Sequence, residues 1–244
     1  MDLGIVWDSL AKLLNGAVIT IELTTISVFI GLCLAVPLSL MRVSPNPFLR
    51  LPVYGFIFYF RGTPLLVQIF LIYYGSGQFQ EFLSQIGLWT FFREAHFCAI
   101  LSLTLNTAAY TAEILRGAIQ GVSFGEIEAA RAAGMSKGLL YRRIILPKAF
   151  RLAWPAYTNE VVFLLQATSL VSIITVMDIT GVARVIAARS FAFYELFIAA
   201  ALLYLGLVYG VLFLFRKVEF RLTRHLLDRV AIAKKVPPVL AGLK

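Results

Sequence analysis

The stretch Glu128-Ala129-Ala130 is followed by Gly134 and then by Ile144, Leu146 and Pro147, and this pattern is the strongest indication of the fold. It lies in a basic segment with a long apolar run on either side. Just upstream, Ser123 and Glu126 have the spacing of a capping box, which predicts that a short helix begins there. The alanines project almost nothing beyond Cβ, so another protein can approach this helix closely. The segment therefore predicts a docking surface carried by a membrane protein.

A second short helix is expected to follow the first. Gly134 should end the first helix, because glycine adopts the backbone conformation common at helix C-termini. The second helix is expected to begin at Ser136, and Pro147 and Pro155 are expected to bound its exit. Its apolar side and its basic side should face opposite ways, with the basic side toward water or lipid phosphate. The apolar side holds Leu139, Leu140 and Ile144, and the basic side holds Lys137, Arg142 and Arg143.

The composition of the chain is that of a membrane protein. Of its 244 residues, 60% are hydrophobic and only 14% are charged, and the mean hydropathy is +0.85. Five apolar runs are each long enough to cross about 30 Å of hydrocarbon as a helix. They are residues 16–41, 51–74, 97–119, 155–179 and 193–215. Lipid offers no hydrogen-bond partners to exposed backbone, and a barrel would need alternating strands. The predicted fold class is therefore all-α, a polytopic helical bundle with about five transmembrane helices.

The basic residues predict the orientation of these helices. Eighteen of the 22 Lys and Arg residues lie in the connection after the first run, in the loop around Glu128 and in the C-terminal tail. By the positive-inside rule these three segments are cytoplasmic, which places the N-terminus outside and the C-terminus inside. The net charge of +9 is then explained by topology and anionic lipid head groups. Nucleic acid is not an expected partner, because no basic stripe is interleaved with aromatic residues.

The two ends of the chain differ from its apolar centre. The first 15 residues lack a positive leader region and place Trp7 and Leu14 on one helical face, as in an interfacial helix rather than a signal peptide. The expected organisation is an interfacial helix at 1–15, a transmembrane domain at 16–230 with a cytoplasmic loop at 120–154, and a mobile cytoplasmic tail at 231–244. Cys33 and Cys98 both lie in apolar runs and are expected to be packing residues.

Several stretches of the chain resemble one known family. The pattern E-A-A, three residues, G, nine residues, I-x-L-P resembles the EAA loop of permease subunits of bacterial ABC importers. The resemblance continues in residues 60–68, 106–117 and 167–172, and it covers roughly residues 10–230. These stretches are similar to the polar-amino-acid permeases, especially the branch that handles histidine, lysine, arginine and opines.

This resemblance implies a specific assembly. The chain would be a multi-pass subunit of the bacterial inner membrane with the type I ABC importer fold, importing a polar amino acid with a cationic side chain or an opine. Its partners would be a cytoplasmic ABC ATPase dimer, a second permease subunit (identical or homologous) and an extracytoplasmic solute-binding protein. The residues implied to couple the chain to the ATPase are Glu128, Ala129, Ala130, Gly134, Ile144, Leu146 and Pro147.

Polar side chains within the apolar runs are candidates for solute binding. Asn106, Tyr110 and Glu113 follow one another at i, i+4 and i+7, so they share a helix face that should point inward. Gln166 and Ser169 form a second such group, beside a Thr168-Ser169 pair where the helix can loosen and expose carbonyls. The alternative is that all five side chains only form hydrogen bonds between helices, as polar residues commonly do in membrane bundles.

Acidic residues inside the runs are costly and suggest function. Glu22 and Glu113 are the candidates for recognising a cationic solute, although Glu113 can instead pair with Arg116 at i+3. Glu160 is expected at the cytoplasmic interface and Asp178 near the outer end of the fourth helix. Arg61 is either deep in the second run or a boundary charge on an elbow at 47–61, and the second position is the one expected.

No catalytic apparatus is found in the sequence. It has no phosphate-binding G-x-x-x-x-G-K-[ST] loop and no His or Cys cluster with metal-ligand spacing. We therefore expect no catalytic residue, no cofactor and no metal, and ATP must be hydrolysed by another chain. Two other functions stay open at this point: a membrane scaffold that recruits a cytoplasmic protein, and a channel-forming subunit. Measuring solute flux in proteoliposomes separates them.

Overall fold

The computed structural model describes residues 3–235, with the environments of side chains described for residues 4–221. Eleven α-helices follow one another within this range, and no strand occurs in it. They are α1 (Leu3–Arg42), α2 (Pro47–Gly62), α3 (Leu65–Ser76), α4 (Gln80–Gln85), α5 (Trp89–Phe92), α6 (Ala95–Gln120), α7 (Phe124–Ala132), α8 (Lys137–Leu140), α9 (Leu146–Ala167), α10 (Ile179–Ser190) and α11 (Phe193–Lys235). The predicted all-helical bundle is confirmed.

Four described segments are long and apolar enough to cross a membrane, and a bent pair of helices makes a fifth if it is counted as one span. The four segments are Gly4–Arg42, Ala95–Gln120, Lys137–Ile174 and Phe193–Arg221. The bent pair is Pro47–Gly62 with Leu65–Gln85. The prediction of about five spans therefore agrees with the structure.

The second predicted run is a sharp elbow rather than one straight helix. The axes of α2 and of the helical segment after it meet at 105°, with the break between Gly62 and Leu65. Pro64 explains the break, because it has no N–H to continue the helix and keeps the residue before it extended. Thr63 accordingly adopts φ −115° and ψ 145°. The boundaries 51–74 predicted from hydropathy alone missed this bend.

The fourth predicted run begins earlier than expected. A π-helical turn, Tyr141–Ile145, leads into α9, which continues without a break past Pro155 and is followed by a 3-10 helix, Thr168–Ile174. The expectation that Pro155 bounds a helix exit is therefore wrong. Pro147 lies in the first turn of α9, where its missing N–H costs no hydrogen bond.

Helix α6 forms the centre of the bundle and packs against α1, α2, α3 and α9. Its inward face consists largely of small residues that are completely buried, including Ala99, Ala108, Ala109 and Ala112. Small side chains let neighbouring helices approach closely, which is how membrane helices gain contact in the absence of a strong hydrophobic driving force. Cys98 is buried in this core as predicted, whereas Cys33 is exposed and does not pack inside it.

The described parts of both chain ends are helical. Helix α1 is continuous through residues 15 and 16, so the predicted interfacial segment is not a separate helix, although Trp7 is 77% exposed. Residues 231–235 continue α11, and residues 236–244 of the predicted tail lie outside the described residues.

Candidate functional site

The segment around Glu128 folds into the two short helices that its sequence predicts. Helix α7 follows Ser123 directly, but the Ser123 side chain accepts no capping hydrogen bond. The capping box is therefore a wrong prediction, and Glu126 forms an ion pair with Lys148 of α9 instead. A carboxylate in the first turn also interacts favourably with the positive end of the helix dipole. Glu126 therefore stabilises α7 and connects it to α9 in the membrane bundle.

Gly134 ends α7 as predicted. Its φ is +78°, and the Met135 amide donates to the Ala130 carbonyl at 3.1 Å, which closes the helix in the way common for a glycine C-terminus. Ser136 then starts α8, with its hydroxyl accepting from the Leu139 amide at 3.4 Å. The turn at Gly134 thus redirects the chain between the two short helices.

We call the exposed side of this segment the coupling surface, defined by Phe124, Glu128, Ala129, Gly134 and Pro147. All five are exposed, and Phe124 has 68% of its surface accessible. The other implied coupling residues have a different position. Ala130 is buried against the apolar cluster under the loop, and Ile144 and Leu146 are partly buried. Three of the seven implied coupling residues therefore anchor the loop, and four are available to a partner.

A cavity of about 450 Å³ lies between the elbow, α6 and α9. Four polar side chains line it: Thr63 at the elbow, Asn106 and Tyr110 from α6, and Glu160 from α9. The rest of the wall is apolar and consists of Pro64 and Leu65 at the elbow and of Phe163, Leu164 and Ala167 of α9. The cavity thus brings two of the predicted solute-binding residues together. It also holds Glu160, which the sequence analysis placed at the cytoplasmic interface because it took Pro155 as the start of the helix.

The cavity wall is held by Gln68, which the sequence analysis did not single out. Its side chain is 1% exposed, and its Nε2 lies 2.8 Å from the Phe60 carbonyl and 3.0 Å from the Thr63 carbonyl. Asn106 Nδ2 donates to Gln68 Oε1 at 2.9 Å, so one cavity residue is bonded directly to the elbow. The available sequence signal was a glutamine inside an apolar run, because a polar side chain in such a place needs a hydrogen-bond partner.

Glu113 belongs to a charged cluster beside this cavity. Its carboxylate is 2.7 Å from Arg116 Nη2, and Arg61 lies over the Tyr110 ring at 5.2 Å from the ring centre. The intrahelical pairing that the sequence analysis left open is therefore formed. Glu113, Arg61 and Tyr110 also line a neighbouring cavity of about 310 Å³, together with Arg42. Tyr110 lines both cavities.

Gln166 and Ser169 do not line either of these cavities. Gln166 is exposed, and Ser169 uses its hydroxyl to donate to the Gln166 carbonyl at 2.8 Å. The helix does change geometry at Thr168, where the 3-10 segment begins, as the loosening expected there requires. Gln166 shares its exposed side of α9 with Asn159.

The remaining acidic candidates have structural partners. Asp178 is completely buried, accepts from the Gly181 amide at 2.9 Å at the start of α10, and accepts from the Tyr204 hydroxyl at 2.7 Å. Glu22 lies 3.2 Å from His96 Nε2, on a partly exposed surface between α1 and α6. Asp178 and Glu22 both lie outside the cavity lined by Glu160. Within the described residues, no group of three or more His, Cys, Asp or Glu side chains is placed to hold a metal.

Comparison with known proteins gives a consistent result. The nopaline transport system permease protein NocM of Agrobacterium fabrum is 49% identical over 94% of this chain and 95% of its own length. The histidine/lysine/arginine/ornithine transport system permease protein HisM of Escherichia coli K12 is 45% identical over 86% of this chain and 89% of its own length.

Solved structures share the same fold. A crystal structure of an amino acid ABC transporter with histidines superposes with a TM-score of 0.80 at 32% identity, covering 91% of this chain and 99% of that one. The MetNI methionine ABC transporter in an inward-facing form has a TM-score of 0.73 at 21% identity and covers 88% of this chain, which supports the fold. Residues 27–224 match the family described as binding-protein-dependent transport system inner membrane component. The chain is therefore an inner membrane permease component and belongs to that family.

Proposed function

We propose that this chain is the transmembrane subunit through which an ATP-driven importer passes a polar amino acid with a cationic side chain, or an opine, into the cytoplasm. The observation that carries the proposal is the cavity lined by Asn106, Tyr110 and Glu160. Relatives named for nopaline, octopine and histidine/lysine/arginine/ornithine transport support the same class of solute.

Glu160 is the residue we assign to the cationic group of the solute. It forms none of the ion pairs within 4 Å found among the described residues. A carboxylate in a membrane cavity without an ion-pair partner is costly and gains from a cationic ligand. Asn106 and Tyr110 add amide and hydroxyl groups that hydrogen-bond a solute and leave an apolar competitor unsatisfied.

A second permease subunit is required to complete the pathway. Asn159 and Gln166 are exposed on one side of α9, where a lone subunit would place two amides in lipid. An identical or homologous subunit packed on this side covers them and encloses a solute path between the two copies. Five spans alone are too few to enclose one. Gln166 and Ser169, predicted from sequence to meet the solute, are proposed to act at this shared boundary.

Coupling to ATP is assigned to the coupling surface. The implied coupling residues are Glu128, Ala129, Ala130, Gly134, Ile144, Leu146 and Pro147. An ATPase dimer on the cytoplasmic side would receive the exposed members, and its closure would move the helices as rigid bodies and open the cavity alternately to each side. A solute-binding protein delivers the solute from outside. The basic segments favour a cytoplasmic C-terminus and an external N-terminus.

The test is uptake into proteoliposomes that contain the permease with its ATPase, its second subunit and its binding protein. Arginine, histidine, octopine and the neutral glutamine form the solute panel. ATP-dependent uptake of the cationic solutes or the opine supports the proposal. Absence of uptake of all four, with the ATPase still bound, favours a scaffold instead, and ATP-independent flux favours a channel.

The Glu160→Gln variant tests whether Glu160 binds the cationic group of the solute. Loss of a charge-assisted hydrogen bond costs about 1.5–3 kcal/mol, so we expect the preference for arginine over glutamine to fall by roughly 10–100-fold. Glu94→Gln is the matched control, because Glu94 is an exposed carboxylate at the start of α6 and lies outside the cavity. An unchanged preference in Glu160→Gln would move the cationic site elsewhere.

A further inference from the structure

The elbow between α2 and α3 creates a backbone carbonyl that the helix itself cannot satisfy. In a continuous helix the Phe60 carbonyl would accept from the amide of residue 64. Residue 64 is proline and has no N–H to give. A carbonyl left unpaired inside a membrane bundle is costly, so a side chain is expected to take the place of the missing amide.

Gln68 supplies that replacement. Its Nε2 lies 2.8 Å from the Phe60 carbonyl, 3.0 Å from the Thr63 carbonyl and 2.9 Å from Thr63 Oγ1. All three acceptors lie before Pro64, whereas Gln68 lies after it in the first turn of α3. One buried side chain therefore bonds the end of α2 to the start of α3 and holds the 105° bend.

The same side chain is bonded to the solute cavity. Asn106 Nδ2 donates to Gln68 Oε1 at 2.9 Å and lies 3.4 Å from the Phe60 carbonyl. Asn106 also lines the cavity, next to Thr63 and Pro64. The amide group of Asn106 has only two hydrogens, so a solute that accepts from it must take a hydrogen bond away from the elbow.

We propose that Gln68 is a positioning residue for transport, which holds the α2–α3 elbow and links its angle to solute in the cavity through Asn106. The inference rests on the proposed function, because it requires that solute occupies this cavity. The expected consequence is a change in the angle between α2 and α3. Solute that engages Asn106 weakens the hold on the Phe60 carbonyl, and α3 then moves relative to α2 as one rigid body.

The first measurement is the distance across the elbow in the complete reconstituted complex. Spin labels are placed at Leu51 of α2 and Leu71 of α3, both well exposed, after Cys33 and Cys98 are replaced. A label pair at Leu202 and Tyr209, within α11, is the control. We expect saturating L-arginine to shift the elbow distance and to leave the α11 distance unchanged. The inference is overturned if the distance between the labels at positions 51 and 71 is the same with and without arginine. This measurement is made with wild-type Gln68.

The second measurement separates positioning from solute contact. Gln68→Met keeps the length of the side chain and removes all of its hydrogen bonds. We expect kcat for uptake to fall by at least about tenfold with KM within threefold, and the elbow distance to become broad and insensitive to arginine. Ser102→Ala is the control, since it removes a buried hydroxyl that bonds only within α6. A raised KM with unchanged kcat, or wild-type kinetics, overturns the inference.

The two proposals fail in different ways. If the wild-type complex takes up no solute of the panel, the proposed function fails and this inference fails with it. If uptake of arginine is normal while the elbow distance does not respond, only the role of Gln68 is lost.

Discussion

Arg116 Nη2 lies 2.7 Å from Glu113 Oε1, one turn away on α6. Arg61 approaches the same oxygen at 3.9 Å from the end of α2. Glu113 is therefore shared by two arginines, and it faces the cavity beside the one that holds Glu160. Ion pairing accounts for the acidic residue in this helix without requiring contact with solute.

The first prediction follows from this pairing. Glu113→Gln should lower the unfolding free energy by about 1 kcal/mol, since it removes a charge-assisted hydrogen bond in a partly buried site. The ratio of arginine uptake to glutamine uptake should stay within twofold of wild type. Thermal unfolding in detergent and uptake in proteoliposomes measure the two effects. A lost preference for arginine with normal stability would instead make Glu113 a solute ligand, as its place on the polar face of α6 suggests.

The second prediction concerns the coupling surface. Gly134→Val should disturb the loop because Gly134 has φ +78°, a conformation that a β-branched residue resists. Glu128→Lys should reverse an exposed charge without disturbing the fold. We expect both variants to insert in the membrane and to lose most ATPase binding and uptake. Arg131→Gln, exposed on the same helix at one of the three unspecified positions of the motif, is the comparison. Normal uptake by Glu128→Lys would remove this face from the coupling mechanism.

The third prediction tests how movement passes from the loop into the bundle. Glu126 of α7 is paired with Lys148 of α9. Glu126→Lys and Lys148→Glu should each reduce the uptake obtained per ATP hydrolysed, because α7 is no longer tied to the helix that carries Glu160. The double variant restores opposite charges and should recover much of the loss, as a coupled pair does. Additive losses in the double variant would show that the pair does not transmit movement.

The elbow illustrates what the sequence could and could not predict. Thr63-Pro64 inside an apolar run is a recognisable break signal, yet its 105° angle depends on Gln68 and Asn106, which are 38 residues apart. Short-range patterns carry no information about such a contact. The coupling loop was easier to predict, because Gly134 and Ser136 act on their own neighbours.

The position of Glu160 could not be predicted from local sequence patterns, unlike the turn at Gly134. Pro155 is typical of a helix boundary, and a boundary there would place Glu160 near the membrane surface. In the structure α9 begins at Leu146, after a π-helical turn, and Pro155 lies within this helix. Proline statistics favour a boundary at such a position, and tertiary packing overrides them here.

The fourth prediction concerns a close approach between α1 and the start of α10. A Cβ on Gly16 would lie 2.9 Å from the backbone carbonyl carbon and oxygen of Asp178 and from the Ile179 amide nitrogen. Backbone atoms cannot yield as a flexible side chain does, so Gly16→Val should cost about 1–3 kcal/mol of stability. Gly206→Val is the control, since a Cβ there meets no atom within 4 Å. Thermal unfolding in detergent should show a lower midpoint for Gly16→Val than for Gly206→Val. Equal midpoints would mean that α1 and α10 separate easily.

The last prediction addresses the orientation of the chain in the membrane. Gln120 ends α6 just before the coupling loop, Gln78 follows α3, and both are exposed. Because 18 of the 22 basic residues fall in the three segments assigned to the cytoplasm, Gln120→Cys should resist an impermeant thiol reagent in intact cells. Gln78→Cys should react with it. Both variants are made after Cys33 and Cys98 are replaced, and both should react in permeabilised cells, which controls for access to the thiol. Labelling of Gln120→Cys but not of Gln78→Cys in intact cells would invert the topology and place the coupling surface outside, where no ATPase could reach it.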